Sequence, residues 1–116
     1  MPGKDLHDVA AHTTSRVKID PSEYAKELAT LGTRWTIEND TLELALPGPG
    51  MTKTGAVAAY AGALADELDH HPTIVIEYPG LKLSINTHDA GNAITVMDLV
   101  FAARLEKWMR ENGFPV

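Results

Sequence analysis

The sequence predicts an α+β fold, a two-layer sandwich with three helices on one face of a four-stranded antiparallel sheet, in the order αββαββα. Two pairs of segments alternate apolar and polar residues, and a short turn joins each pair, as in β-hairpins. Three other segments place apolar residues at helical spacing. The chain has 116 residues, of which 44% are hydrophobic. It is therefore long enough for one domain around one core.

The first helix is predicted to begin at Asp20-Pro21. Asp suits an N-cap, Pro suits the first helical position, and Glu23 is placed to reach back to the cap. Gly32 is suited to end the helix in a left-handed conformation. Residues 1–18 carry too few apolar side chains for a buried face, so we expect a flexible tail there and a single domain over residues 19–116.

The first hairpin is predicted over residues 34–38 and 41–46, around the turn Asn39-Asp40. Alternation places three leucines on one face of its second strand: Leu42, Leu44 and Leu46. The run Pro47-Gly48-Pro49-Gly50 that follows suits neither a strand nor a helix. It is predicted to be a loop.

A second helix is predicted to start at a cap on Thr52 or Thr54 and to end near His70-His71, because Pro72 disfavours helical geometry in the preceding residue. Its apolar stripe comprises Val57, Tyr60, Ala61, Leu64 and Leu68. The second hairpin pairs residues 73–78 with 81–88 across Pro79-Gly80. Its last strand alternates so that Leu81, Leu83 and Ile85 face one side, while the other side carries Lys82, Ser84, Asn86 and His88.

The third helix is predicted to begin at Thr95, with Asp98 completing a capping box, and to reach Gly113. Its apolar residues exceed one stripe and comprise Met97, Val100, Phe101, Ala103, Leu105, Trp108 and Met109. We therefore expect some of them to face another subunit, in a homodimer or a homotetramer.

Charge and composition exclude several classes of protein. The formal net charge of -6 disfavours a nucleic-acid partner. The absence of cysteine excludes disulfides, thiolate catalysis and Cys-ligated metals. Neither a signal peptide nor an apolar run long enough to span a membrane is found, so we expect a cytoplasmic protein without a membrane partner.

Three of the five histidines stand near predicted element ends that a four-stranded sheet could bring together: His70, His71 and His88. Imidazole is the side chain best suited to proton transfer near neutral pH. Asp66 lies one helical turn before His70, and Asp98 lies in the first turn of the third helix, where a carboxylate is stabilised as an anion. Such carboxylates are able to orient the histidines.

Simpler explanations remain open for each of these residues. The pair His70-His71 is also typical of a helix C-terminus, His88 of a solvated strand position, and Asp98 of a helix cap. A zinc site is a further alternative, since imidazole and carboxylate are ordinary zinc ligands. Adjacent histidines on a helix point about 100° apart, however, which disfavours a shared metal.

The spacing of these residues resembles the signature of the pterin-4a-carbinolamine dehydratase family. The matching positions are Asp66, His70-His71-Pro72, Tyr78, His88 and Asp98. The segment Thr87-His88-Asp89-Ala90-Gly91 is also similar to the family's sequence after the last strand. The resemblance covers residues 20 to about 112 and implies the same sheet and helices as the element order. Two features differ from the family: one additional residue lies between His88 and Asp98, and Pro47–Gly50 replaces a Phe-rich stretch.

The resemblance implies that the chain removes water from 4a-hydroxytetrahydrobiopterin to give quinonoid dihydropterin, a step of cofactor recycling that needs neither a metal nor another cofactor. It implies that His70 and His88 exchange protons while His71 orients the ring, and that Asp66, Asp89 and Asp98 bind substrate or tune the histidines. The alternative is a non-catalytic member that acts as a binding or assembly partner, in the manner of a transcriptional coactivator.

Overall fold

The structure, a computed structural model, describes residues 19–48, 50–78 and 80–114. Helices α1, α2 and α3 span Pro21–Leu31, Met51–Leu68 and Val96–Glu111. Strands β1, β2, β3 and β4 span Trp35–Glu38, Thr41–Pro47, Thr73–Glu77 and Gly80–Ile85. The predicted order αββαββα is confirmed, with a short 3₁₀ turn at His88–Ala90 added before α3. The tail predicted over residues 1–18 lies outside the described residues.

The four strands form one antiparallel sheet in the order β1-β2-β4-β3, so the two hairpins meet through β2 and β4. In the first hairpin Glu38 pairs with Thr41. The two turn residues between them, Asn39 and Asp40, have φ of 52° and 55°. A tight two-residue hairpin turn requires positive φ at both central residues. Asn and Asp adopt positive φ more readily than most residues, which is why this pair predicted the turn.

One face of the sheet packs against the helices, as the alternation predicted. The inward residues of the two central strands are at most 5% exposed: Leu42, Leu44, Leu46, Leu81, Leu83 and Ile85. The opposite face carries exposed residues such as Ala45, Val75 and Lys82, which lie beside one another on adjacent strands. The sheet therefore has one buried and one open face.

Most of the apolar residues of α3 are buried within this chain. Of the seven that were predicted, six are at most 5% exposed: Met97, Val100, Phe101, Ala103, Leu105 and Met109. The seventh, Trp108, is half-buried and stacks on Tyr60 of α2, with ring centroids 4.9 Å apart. The helix is central in the helical layer, so its composition does not indicate a subunit interface.

The predicted N-cap of α1 at Asp20 is confirmed, but several other predicted ends are wrong. Asp20 caps α1 through its main-chain oxygen, which accepts hydrogen bonds from the N–H groups of Glu23 and Tyr24, and its side chain makes no cap hydrogen bond. Helix α2 starts at Met51, before either predicted threonine cap, because Gly50 reaches φ 117° and turns the chain into the helix. Thr54 is instead buried in the first turn.

The end of β4 also differs from the prediction, because the strand stops at Ile85 rather than at His88. Beyond it, the main-chain oxygen of Thr87 accepts hydrogen bonds from the N–H groups of Ala90 and Asn92 and so closes a tight turn. Pro47 also differs, since it is the last residue of β2 and pairs with Gly80 instead of lying in the loop.

A buried carboxylate joins the ends of three elements. Glu106 of α3 is 4% exposed and accepts hydrogen bonds from Arg34, from Nε1 of Trp35 at 2.9 Å and from Arg110. Burial by itself raises the pKa of the Glu106 carboxyl, but the hydrogen bonds from Arg34, Trp35 and Arg110 and the charge of Arg34 outweigh burial and hold that pKa below its usual range. Arg110 also donates to the carbonyl of Leu31, which fastens α1 to α3.

Candidate active site

The two adjacent histidines lie in different surroundings because the chain reverses at the end of α2. Asp69 adopts a left-handed conformation, with φ 49° and ψ 50°, and the N–H groups of Asp69 and His70 both donate to the carbonyl of Ala65. After this reversal His70 is 5% exposed, whereas His71 is exposed to solvent. Pro72 restricts the backbone of His71. The sequence motif thus produces one buried and one accessible imidazole.

The buried imidazole is held by a buried acid. Nε2 of His70 lies 2.6 Å from Oδ1 of Asp98, and the Asp98 side chain is 0% exposed. Oδ2 of Asp98 accepts hydrogen bonds from the hydroxyl of Thr87 and from the main-chain N–H of Thr95, both at 2.8 Å. A carboxylate accepting several hydrogen bonds at once is strongly restrained in position. His70 therefore has one fixed orientation.

The same acid completes the cap of α3, as predicted. The hydroxyl of Thr95 accepts a hydrogen bond from the N–H of Met97, and the carboxylate of Asp98 reaches back to the N–H of Thr95. The hydroxyls of Thr87 and Thr95 are 2.7 Å apart. One network consequently links the end of α2, the segment after β4 and the start of α3.

An open cleft of about 250 Å³ lies beside this network. Its lining comes from the starts of β2 and β3, the end of β4 and the following turn, and comprises Thr41, His71, Thr73, Ser84, Ile85, Asn86, His88 and Asn92. It thus contains His71 and His88, two accessible imidazoles from distant parts of the sequence, among hydroxyl and amide side chains. Two imidazoles facing one cleft can donate a proton to a bound molecule and accept a proton from it.

The remaining predicted site residues do not line this cleft. His70 and Asp98 are buried behind it, and Asp66 and Asp89 are exposed. Tyr78, the aromatic residue of the motif, is 80% exposed and lines a separate, mainly apolar groove of about 390 Å³ on the open face of the sheet. That groove has no histidine, so the smaller cleft is the better candidate for proton transfer.

Six of the eight cleft residues were not predicted as site residues: Thr41, Thr73, Ser84, Ile85, Asn86 and Asn92. The sequence could have predicted Asn86, because alternation places it on the same polar face as His88. No sequence pattern predicts Thr41, since it reaches the cleft only through the pairing of β2 with β4. Asn92 lies between His88 and Asp98 and has φ 59°, a left-handed conformation that asparagine tolerates. The segment brings Asp98 into contact with His70.

Two structural findings bear on other classes of function. Across residues 19–48, 50–78 and 80–114, no group of three His, Asp or Glu side chains is arranged to hold a metal ion. Over the same ranges, no helix has both the length and the apolar character needed to cross a bilayer.

Comparison with known proteins places the chain in a family. The family model described as pterin 4 alpha carbinolamine dehydratase matches residues 17–108, which include all six predicted site residues. The chain belongs to the pterin-4a-carbinolamine dehydratase family. A relative from Streptomyces coelicolor is 30% identical over 95 residues, which cover 82% of this chain and 93% of the relative. Another, from Chloroflexus aurantiacus, is 29% identical over 92 residues, covering 79% and 97%. Both are named "Putative pterin-4-alpha-carbinolamine dehydratase".

A solved structure shares the fold of this dehydratase family member. It is described as a transcriptional coactivator/pterin dehydratase from Brucella melitensis and superposes with a TM-score of 0.70 at 22% identity. The alignment covers 78% of this chain and 96% of the solved one. The sheet and the three helices are thus an architecture that this chain shares with the solved structure.

Proposed function

We propose that the chain is a 4a-hydroxytetrahydrobiopterin dehydratase that acts by histidine acid–base catalysis. The observation that carries the proposal is the cleft in which His71 and His88 face the same space. Membership of the dehydratase family supports a pterin as the occupant. The reaction needs one group to give a proton and another to take one, and two accessible imidazoles meet this requirement.

The proposed reaction is an elimination of water. One imidazole protonates the hydroxyl on C4a, the C4a–O bond breaks, and water leaves. The other imidazole takes the proton from N5, and the electron pair of that N–H bond forms the C4a=N5 double bond of quinonoid dihydropterin. We assign the two proton transfers to His71 and His88, which line the cleft. Each such group typically accelerates a reaction by about 10²–10⁴-fold.

This assignment changes one role that the resemblance implied. His70 was expected to exchange a proton with substrate, but it is 5% exposed and bonded to Asp98. We propose that His70 and Asp98 position the catalytic group: they anchor the backbone next to His71, and His71 is restricted on its other side by Pro72. Asp66 and Asp89 are exposed and do not line the cleft, so we propose no part for them in the proton transfers.

A spectroscopic assay with 4a-hydroxytetrahydropterin generated in situ tests the proposal. We expect the wild type to accelerate dehydration beyond the uncatalysed rate, and His71→Ala and His88→Ala to lose about 10²–10⁴-fold each in kcat. A matched control is His12→Ala, since that histidine lies outside the residues that match the family. Dehydration at the uncatalysed rate with wild-type protein would show that the function is wrong.

The wider role that we propose is the recycling of tetrahydrobiopterin in the cytoplasm, beside a hydroxylase that consumes the cofactor. We also propose a homodimer or a homotetramer. Support for an oligomer comes from the sheet itself, because β1 and β3 are its two edge strands and such edges favour pairing. Light scattering during gel filtration measures the mass of the assembly.

The second candidate is a binding partner of the coactivator type. Two observations favour it: the description of the solved relative, and the half-buried pair of Tyr60 and Trp108 on the helical layer, stacked with an angle of 13° between the rings. Amphipathic aromatic residues at a surface are enriched in protein interfaces. A wild type without dehydratase activity whose partner binding is lost in Trp108→Ala would favour this candidate.

A further inference from the structure

We infer that the cleft continues into the apolar groove on the open face of the sheet, and that this groove binds an aromatic substituent on C6 of the pterin. The inference rests on the proposed function, since it takes a pterin as the occupant of the cleft, and it adds which class of pterin the site prefers. The groove has a volume of about 390 Å³ and the cleft one of about 250 Å³. The groove is therefore the larger of the two concavities.

The cleft and the groove lie end to end on the same two strands. On β3, Thr73 lines the cleft and Val75 lines the groove, and on β4 Ser84 lines the cleft and Lys82 the groove. Thr73 pairs with Ser84, and Val75 pairs with Lys82. Residues two apart on a strand share a face and are separated by about 7 Å. One such step leads from the cleft into the groove.

The proposed reaction places C6 of the pterin close to this boundary. Both proton transfers require C4a and N5 to lie beside His71 and His88, which line the cleft. C6 is bonded directly to N5, so a substituent on C6 begins next to the two imidazoles. From His71 the open face continues along β3 through Thr73 to Val75. A substituent that follows β3 away from His71 therefore enters the groove.

The lining of the groove is complementary to an aromatic group. Among the described residues, three large hydrophobic side chains are exposed, and two of them line the groove: Val75 at 44% and Tyr78 at 80%. Ala45 and Pro47 of β2 add apolar surface. Exposed apolar side chains gathered in one concavity are typical of a binding site. An aromatic ring that stacks on Tyr78 and covers Val75 removes both side chains from water.

Charge and polarity favour a neutral apolar substituent over a polar one. The charged residues that line the groove are Glu77 and Lys82, one of each sign, so the lining carries no net charge. The three-carbon diol of biopterin would place its hydroxyls against the apolar lining, where they lose hydrogen bonds to water. A phenyl ring on a short linker has no such cost. The groove thus selects an uncharged aromatic group at C6.

Competition against fluorescent biopterin tests the inference with two stable ligands. The ligands are 6-(anilinomethyl)pterin and 6-hydroxymethylpterin, which share the same bicyclic ring and differ in the aromatic group. We expect the wild type to bind the anilinomethyl compound about 10- to 100-fold more tightly. Tyr78→Ser should reduce this preference by about 3- to 10-fold. Met51→Ser is the matched control, because Met51 is 58% exposed but lines neither the groove nor the cleft.

Three results would overturn the inference: equal binding of the two ligands by the wild type, binding of neither, or a folded Tyr78→Ser that keeps the full preference. If Tyr78→Ser does not fold, Val75→Thr, which has a similar size and a polar group, is judged by the same ratio of affinities. A second copy of the chain could cover the groove instead. Tyr78→Ser would then lower the mass measured by light scattering and leave the preference unchanged, which also overturns the inference.

The dehydratase assay separates this inference from the proposed function. A preference that depends on Tyr78 in a protein without dehydratase activity supports the inference and contradicts the proposed function. Dehydratase activity in a wild type that binds the two ligands equally has the opposite meaning: the proposed function holds and the inference is wrong.

Discussion

Nε2 of His70 lies 2.6 Å from Oδ1 of Asp98, and the two side chains are 5% and 0% exposed. This contact joins the segment after α2 to the first turn of α3. It connects the stability of the fold to the geometry of the cleft, since His70 precedes His71 directly in the chain. Substitutions at the two ends of the contact should therefore lower stability, whereas those at the exposed His71 and His88 should not.

Asp98→Ala should lower the free energy of unfolding by about 3 kcal/mol or more. The change leaves His70, the hydroxyl of Thr87 and the N–H of Thr95 without their shared acceptor in a buried site. Urea denaturation followed by circular dichroism measures the effect. Asp89→Ala removes an exposed carboxylate nearby and should stay within about 0.5 kcal/mol of the wild type. Equal stability of the two variants would contradict the prediction.

The adjacent histidines should separate stability from catalysis. His70→Ala removes the imidazole that pairs with buried Asp98 and should cost about 2 kcal/mol of stability. His71→Ala changes an exposed side chain and should stay within about 0.5 kcal/mol while losing dehydratase activity. Thermal unfolding and the dehydratase assay on the same samples measure both effects. A stable His70→Ala with unchanged kcat would show that His70 does not position the cleft.

Glu106→Gln should destabilise the protein at pH 7 by about 3 kcal/mol, since it leaves Arg34 and Arg110 without their buried carboxylate. The lowered pKa of Glu106 in the folded protein sets the sign of the pH dependence. Its contribution is fully present above the pKa of the unfolded chain and is lost as the pH falls through the folded pKa. The difference between wild type and variant should therefore shrink in acid. Glu111→Gln, an exposed position at the end of α3, should show no such difference.

Two glycines should respond to alanine in opposite directions. A Cβ at Gly80 would lie 2.8 Å from the carbonyl oxygen of Leu46 on the paired strand, so Gly80→Ala should cost about 1–3 kcal/mol. Gly62 lies inside α2, and a Cβ there meets nothing within 4 Å. Gly62→Ala should therefore raise stability by about 0.5–1 kcal/mol. Chemical denaturation of the two variants tests the contrast, and destabilisation by both would contradict it.

Local patterns in the sequence were sufficient for the fold class. Alternation identified the inward leucines of β2 and β4, and the turn Asn39-Asp40 marked the first hairpin. The capping box of α3 was also predictable, because Thr95 and Asp98 are three residues apart. These features depend on residues close together in the chain, where backbone geometry leaves few alternatives.

Only the tertiary structure decided which residues meet at the cleft. Left-handed Asp69 turns His70 into the core and His71 outward, although the two are adjacent in sequence. The pairing of β2 with β4, which are separated by α2 and β3, places Thr41 against Asn86. The packing of α3 against the end of α2 brings Asp98 into a buried contact with His70, so Asp98 is more than a helix cap. Such contacts follow from the packing of distant elements, and no short-range pattern specifies them.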